Sequence, residues 1–425
     1  MLNKILRTIE KFIPRKLYKM GQPIYHYSLV LAGAIIYRFP SKKIKVVGVT
    51  GTKGKTSTVE FINSILEEAG KKTALAGTLR FKIGDDSKPN MYKMTVPGRF
   101  FMQRFLRHAV DAGCEYAVLE ISSEAAKLYR NKFIDLDALI FTNLAPEHIE
   151  SHGSYEKYVA AKLSIAKSLE KSGKKNTCII VNSDDVESEK FLKFNIEKKI
   201  GYSMDDVEIV ALSENGTEFI YKGMKIYATV LGKFNIYNML GAIKYAETEN
   251  IDLETIKNGI EELREIKGRA QDIKVSPKQD LTVIVDYAHT PESLKAIYEA
   301  FPNKRKIGIL GSCGGGRDKW KRKEMAEIAD KYCEEIVLTD EDPYDDDPRE
   351  IVEDMTQYFK SKKPEIIMDR RMAIALGIKK AKKGDVVIIT GKGTDPYIMR
   401  ANGVKEKWSD AEVAREELRK LLDVN

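Results

Sequence analysis

The stretch Gly-Val-Thr-Gly-Thr-Lys-Gly-Lys-Thr-Ser-Thr at residues 48–58 holds the residue types that cradle a phosphate. Gly51 and Gly54 let backbone approach an anion closely, Lys55 can reach terminal phosphates, and the Thr56 hydroxyl can hold Mg²⁺, with Thr52, Lys53 and Ser57 completing the loop. The general nucleotide motif has a glycine where this chain has Val49. The stretch is therefore either a variant loop or a structural turn of the same composition. Further clusters stand where strands should end. Residues 119–126 offer Glu120 and Ser122, residues 142–162 offer Asn143, His148, His152 and Lys162, and the downstream stretches 285–291, 313–322 and 391–397 offer Asp286, Tyr287, His289, Arg317, Gly391 and Asp395. Glu120 beside a phosphate loop suits Mg²⁺, or it is a solvated strand end. Alone, His148 reads as a capping or core histidine and Lys162 as a surface lysine. Gly314–Gly316 before Arg317 is either a plain turn or a close-approach loop with a guanidinium fork.

The elements that must position these groups read as α/β. A β-branched run at 43–50 feeds the loop, and a helical pattern follows at 56–70. Strand-like runs at 72–78, 115–122, 136–144 and 177–182 alternate with helical ones at 100–113 and 154–171, the pattern of a parallel sheet with crossover helices. Hairpin-like strands follow at 201–231. A second strand–helix series runs through 281–289, 306–312, 334–340, 365–369 and 385–393. The boundary is placed near 265–273, giving a short helical segment at 1–42, a central domain at 43–267 and a C-terminal domain at 268–425.

Cys114, Cys178, Cys313 and Cys333 lie far apart, which fits a reducing cytoplasm without disulfides and indicates no zinc site. The net charge of +8 rests on lysines spread along the chain and argues only weakly for nucleic acid; anionic small substrates suit it as well. The first 20 residues are basic and amphipathic, and residues 28–37 are apolar but too short to span a bilayer. Helices packed on the first domain are favoured here over a membrane-surface anchor.

Taken in order, residues 48–58, 120–126, 142–162, 234–243, 267–272, 285–291, 313–322, 339–348 and 391–397 resemble the motifs of the Mur ligases, most of all the branch adding the third residue of the peptidoglycan stem peptide. The resemblance covers roughly residues 43–412 and implies a central P-loop ATPase domain with a parallel sheet and a C-terminal Rossmann-like domain. It implies an ATP- and Mg²⁺-dependent amide ligase, monomeric and cytoplasmic, that works through an acyl phosphate on small-molecule substrates and not on nucleic acid. By position, Lys55 and Thr56 would hold phosphates and the first Mg²⁺ with Glu120. His148 would hold a second Mg²⁺, ordered by a carbamylated Lys162. Asn235 and Asn238 would lie near adenine, and Arg269, Asp286 and Tyr287 would close on the nucleotide. Thr95, Ser122, Asn143, Arg317, Asp342, Tyr344, Gly391 and Asp395 would meet the other substrates.

The family pattern also includes a UDP-gripping domain, where 42 residues precede Lys43 in this sequence. Its Asp-Asn-Pro-Arg, which reads the distal carboxylate of diaminopimelate, is Glu341-Asp342-Pro343-Tyr344, so the acidic run through Asp347 suggests a lysine ammonium instead. Its Gly-Lys-Gly-His-Glu is Gly391 to Asp395, and its Ser-Ser-His is Ser122-Ser123-Glu124. Competing expectations are the same chemistry on a folylpolyglutamate or pseudomurein acceptor, and a non-catalytic nucleotide-binding homologue.

Overall fold

The computed structural model describes residues 15–92, 94–98, 100–147, 149–213, 216–317 and 319–423. His148 and most of the basic N-terminal stretch lie outside them. The chain parts into two compact units. One comprises the chain up to Val59 with Gly70–Leu144 and Glu156–Gly201; the other comprises Glu60–Ala69, Ala145–Tyr155 and Tyr202–Asn425.

The first unit is built on eight strands, β1 Lys45–Thr50, β2 Thr73–Ala76, β3 Arg80–Ile83, β4 Asp86–Pro89, β5 Tyr116–Glu120, β6 Ala138–Phe141, β7 Cys178–Asn182 and β8 Lys198–Tyr202. They lie in the order β4-β3-β2-β5-β1-β6-β7-β8. β2, β5, β1, β6 and β7 run parallel, and all their residues but Lys45 are buried. Burial on both faces is why the sequence shows continuous apolar runs there and no alternation. β3 and β4 are antiparallel additions at one edge. β4 is polar apart from its proline, and the alternation of Arg80-Phe81-Lys82-Ile83 in β3 spans only four residues, so the pattern expected from sequence stops at residue 78.

The second unit holds the antiparallel strands β9 Val207–Ser213, β10 Gly216–Tyr221 and β11 Met224–Ala228 in the expected hairpin region. Six further strands, β12 Gln271–Asp272, β13 Thr282–Val285, β14 Lys306–Leu310, β15 Glu335–Leu338, β16 Glu365–Ile366 and β17 Val386–Ile389, form a sheet ordered β12-β13-β17-β14-β15-β16. All but β12 are parallel to their neighbours. Alternate residues serve opposite faces. Ile284, Leu310, Leu338 and Ile388 pack with Leu294 and Met325, whereas Val283, Ile309, Val337 and Ile389 pack with Ile374 and Leu418. Helices thus cover both faces, Pro291–Glu299 and Lys321–Tyr332 on one and Arg370–Lys380 and Asp410–Leu421 on the other. A small antiparallel ribbon, β18 Tyr397–Met399 with β19 Lys405–Lys407, completes the unit.

Candidate active site

In the first unit β1 ends at Thr50 and the helix Lys55–Glu68 begins four residues after Gly51, so the loop between them is a strand-to-helix turn. Gly51 has φ 152°, and a Cβ there would lie 1.9 Å from Thr142 Oγ1, so no side chain fits. The loop is tied to the residues that follow β6. Thr52 N–H donates to Asn143 O at 2.8 Å, Lys53 N–H to Asn143 Oδ1 at 2.8 Å, and Thr142 Oγ1 to Lys53 O at 2.6 Å. Asn143 and Thr142 therefore brace the loop's own backbone. Lys55 Nζ folds inward onto the carbonyls of Gly51 (3.0 Å) and Thr52 (2.8 Å).

Glu120 closes β5 and is 3% exposed. Its Oε2 accepts from Thr56 Oγ1 at 3.2 Å and from Thr78 N–H at 2.8 Å. Two hard oxygens so spaced fit adjacent positions around Mg²⁺, whose octahedral edge at ~2.0–2.1 Å per bond is about 3 Å. Thr78 Oγ1 lies 3.1 Å from Thr95 Oγ1, so one polar path runs from the loop to a residue expected at the substrate. Neither Thr78 nor its backbone role was visible in the sequence, since a backbone donor has no residue signature.

Lys162 is 1% exposed on the helix Tyr155–Glu170, not on the surface. Its Nζ lies 2.5 Å from Gly51 O and 4.9 Å from the centre of the Tyr158 ring, and Tyr158 OH meets Thr52 Oγ1 at 2.8 Å. Helical spacing, visible in the sequence, puts Tyr158 and Lys162 on one face. Ser122 caps the short helix Ser123–Lys127 by accepting from Ala125 N–H.

In the second unit a separate group gathers where β13, β14, β15 and β17 end. The Arg269 guanidinium lies 4.5 Å from the centre of the Tyr287 ring. Asp286 is held by the N–H groups of Ala270 (2.6 Å) and Ala288 (2.7 Å). Gly268 has φ 60°, and a Cβ there would strike Thr394 N at 2.6 Å, which brings the Gly391–Asp395 loop beside Tyr287. The negative charge of Asp395, with burial second, pushes the Tyr287 phenol well above its usual range. Asn235 and Asn238 form a buried pair, Asn235 Nδ2 on Leu231 O and Asn238 Nδ2 on Asn235 Oδ1, each at 2.8 Å.

The acidic run is engaged by its own surroundings. Asp342, 2% exposed, takes Lys392 Nζ and Met399 N–H at 2.8 Å each, and Lys392 is fully buried. Asp345, Asp346 and Asp347 accept the N–H groups of Asn402, Gly315 and Arg349. Arg317 stands over the Tyr344 ring at 4.9 Å and donates Nη2 to its hydroxyl at 2.8 Å. Cys313 Sγ donates to Glu341 Oε1 at 3.0 Å; burial raises both groups' pKa, and Glu341 Oε2 has no hydrogen-bond partner among the described residues.

Residues 49–246 match the model of the Mur ligase middle domain, and residues 268–393 that of the Mur ligase glutamate ligase domain. A UDP-N-acetylmuramoyl-L-alanyl-D-glutamate–2,6-diaminopimelate ligase of Syntrophomonas wolfei is 37% identical, over 92% of this chain and 82% of its own. A solved structure of a ligase of that name is 27% identical with TM-score 0.61, covering 89% of this chain and 79% of the other. Folylpolyglutamate synthase of Mycobacterium tuberculosis, solved with ADP and AMPPCP, has TM-score 0.68, covers 94% of this chain and 95% of its own, and is 14% identical, a likeness of fold alone.

Proposed function

Because this chain belongs to the Mur ligase family of ATP-dependent ligases, we propose that it joins a diamino acid to the D-glutamyl carboxylate of UDP-N-acetylmuramoyl-L-alanyl-D-glutamate. The observation that carries the reading is the 37% identity, through 92% of the chain, to a ligase named for that acceptor and 2,6-diaminopimelate. A carboxylate is a poor acyl donor because an oxide would have to leave. The γ-phosphoryl group of ATP moves to a carboxylate oxygen, its bond to the β-phosphate oxygen breaks, and ADP departs. The amine then attacks the acyl phosphate carbonyl, loses a proton, and phosphate leaves as the amide forms.

The phosphates lie at the N-terminus of the helix Lys55–Glu68, where backbone N–H groups favour an anion, and Lys55 turns from its two loop carbonyls to meet them. When bound, Mg²⁺ held by Thr56 and Glu120 offsets the charge crowded among the phosphate oxygens. Lys162 takes up CO₂ as a carbamate. The ammonium loses one proton to become the attacking amine and a second as the N–C bond to CO₂ forms, which leaves one N–H able to donate to Gly51 O. His148 and this carbamate would hold a second Mg²⁺. Arg269, Asp286 and Tyr287, with Asn235 and Asn238, form the nucleotide-facing group, and residues 43–267 and 268–425 are the working domains. Arg317, held on Tyr344, is the cation offered to the amino acid's distal end, because Asp342 to Asp347 already have partners. The enzyme works as a cytoplasmic monomer and engages no nucleic acid.

The test is ATP-dependent phosphate release by the purified chain with Mg²⁺, bicarbonate and the UDP-linked dipeptide, with meso-diaminopimelate and L-lysine in separate reactions. Turnover with diaminopimelate is expected. Turnover with lysine alone overturns the role given to Arg317, and turnover with neither overturns the acceptor.

A further inference from the structure

Counted by segment, the chain's charge is not spread evenly. Residues 1–45 hold ten of the 71 lysines and arginines but one of the 63 acidic residues, leaving 61 against 62 in the rest of the chain. The net charge of +8 therefore belongs to this end, which corrects the reading of lysines distributed along the sequence. Within the same segment, residues 22–37 contain no charged side chain at all.

The helix Arg15–Ile36 uses this apolar stretch on two sides. One side packs inward. Val30 and Ala34 are fully buried, a Cβ on Gly33 would lie 3.2 Å from the Phe100 ring, and Tyr27 meets Phe133 with ring centres 5.1 Å apart. The opposite side carries Tyr25, Leu29, Ala32 and Ile36, spaced four, three and four residues apart, with Ile35 beside them. Tyr25, Ile35 and Ile36 are 40%, 58% and 63% exposed. Just beyond the helix, Arg38, Lys42 and Lys43 are exposed around the turn Pro40–Lys43. A packed helix and a membrane anchor, opposed in the sequence reading, are thus compatible.

We propose that this face is a membrane-surface site, with Tyr25, Leu29, Ala32, Ile35 and Ile36 seated at the headgroup–acyl boundary of an anionic bilayer and Arg38, Lys42 and Lys43 on its headgroups. The charge selects the occupant. A second copy of the chain would bring the same positive charge to the contact and be repelled, whereas anionic phospholipid attracts it. Bare isoleucines suit acyl chains and give nothing to a nucleic acid backbone. No helix among the described residues is long and apolar enough to cross a membrane, so the helix lies on the surface.

The test is co-sedimentation of the full-length chain with vesicles of phosphatidylcholine and phosphatidylglycerol in equal parts, against phosphatidylcholine alone, at low and high salt. The bound fraction on anionic vesicles should fall about tenfold in I35E/I36E, in K42E/K43E and at high salt. These residues are exposed, so thermal unfolding and phosphate release should match the parent. Equal binding to neutral vesicles, no binding, or undiminished binding of I35E/I36E would overturn the proposal. So would a dimer seen by light scattering that I35E/I36E abolishes without any vesicle binding.

Discussion

Lys162 is buried with its nitrogen over the Tyr158 ring and on the carbonyl of Gly51, the first residue of the loop after β1. Lys162→Ala should lower kcat by about 100-fold or more while leaving ATP binding within a few-fold, since Lys55, the proposed phosphate ligand, is untouched. Added formate or acetate should restore part of the rate if the missing group is a carboxylate. Unchanged turnover in the variant would remove Lys162 from the reaction. Glu341 yields a pH prediction. Burial raises its carboxyl pKa and one oxygen lacks a partner among the described residues, so the native state holds the proton more tightly than the unfolded chain. That contribution is complete below the ordinary value of 4.5 and is lost as pH rises through the native pKa. Glu341→Gln cannot ionise, so its thermal midpoint relative to the parent should improve from pH 5 to pH 8. A constant difference would sink the argument. At this scale the strand-to-helix turn around Gly51 was legible from residue type and order, whereas Lys162, which alone reads as a surface lysine, is buried. That Asp345, Asp346 and Asp347 each accept a backbone N–H was not legible, because a backbone donor has no residue signature.

Strand ends in the second unit are set by a buried ion pair. Arg370 opens the helix Arg370–Lys380 and Asp410 opens the helix Asp410–Leu421. The guanidinium bonds both Asp410 oxygens, at 2.8 and 2.7 Å, and also Asp340 O at 3.1 Å and Thr390 O at 2.7 Å. Those carbonyls immediately precede Glu341 and Gly391, so the pair fixes where the loops after β15 and β17 begin. Both side chains are at most 1% exposed, and removing one partner leaves a buried charge. Arg370→Met should therefore cost about 3–5 kcal/mol in urea unfolding. Arg370→Lys should keep the charge but lose the fork and fall between the two. A loss below about 1 kcal/mol for Arg370→Met would mean that Asp410 does not stay a buried, uncompensated charge, and would overturn the role given to the pair. The buried strands were readable because continuous apolar runs announce them. The ribbon β18 and β19 was not, since Lys405–Lys407 is charged and exposed throughout and shows no apolar alternation.

For the whole molecule, the open question is where the C-terminal folding unit begins. Glycine and charge near residues 265–273 place the boundary at 268, and the glutamate ligase domain match also starts there. Compactness instead groups everything from Tyr202 onward. The cores of the six-stranded sheet argue for the later start, because their buried members run from Ala270 to Leu418 with Leu231 alone upstream among the described residues. A piece of residues 268–425 should then unfold cooperatively in urea. A piece of residues 202–425 should be more stable by about 2–4 kcal/mol, the worth of returning Leu231 and the half-buried Phe234 to the core. If only the longer piece shows a cooperative transition, the three-stranded sheet and the helix Phe234–Thr248 belong to the C-terminal fold and the composition signal near 268 marks a loop within it. Neither piece should bind ATP tightly, because the phosphate loop, Thr56 and Glu120 all lie in the first unit. Tight ATP binding by either would place the main nucleotide affinity at Arg269 and Tyr287 instead of at the loop.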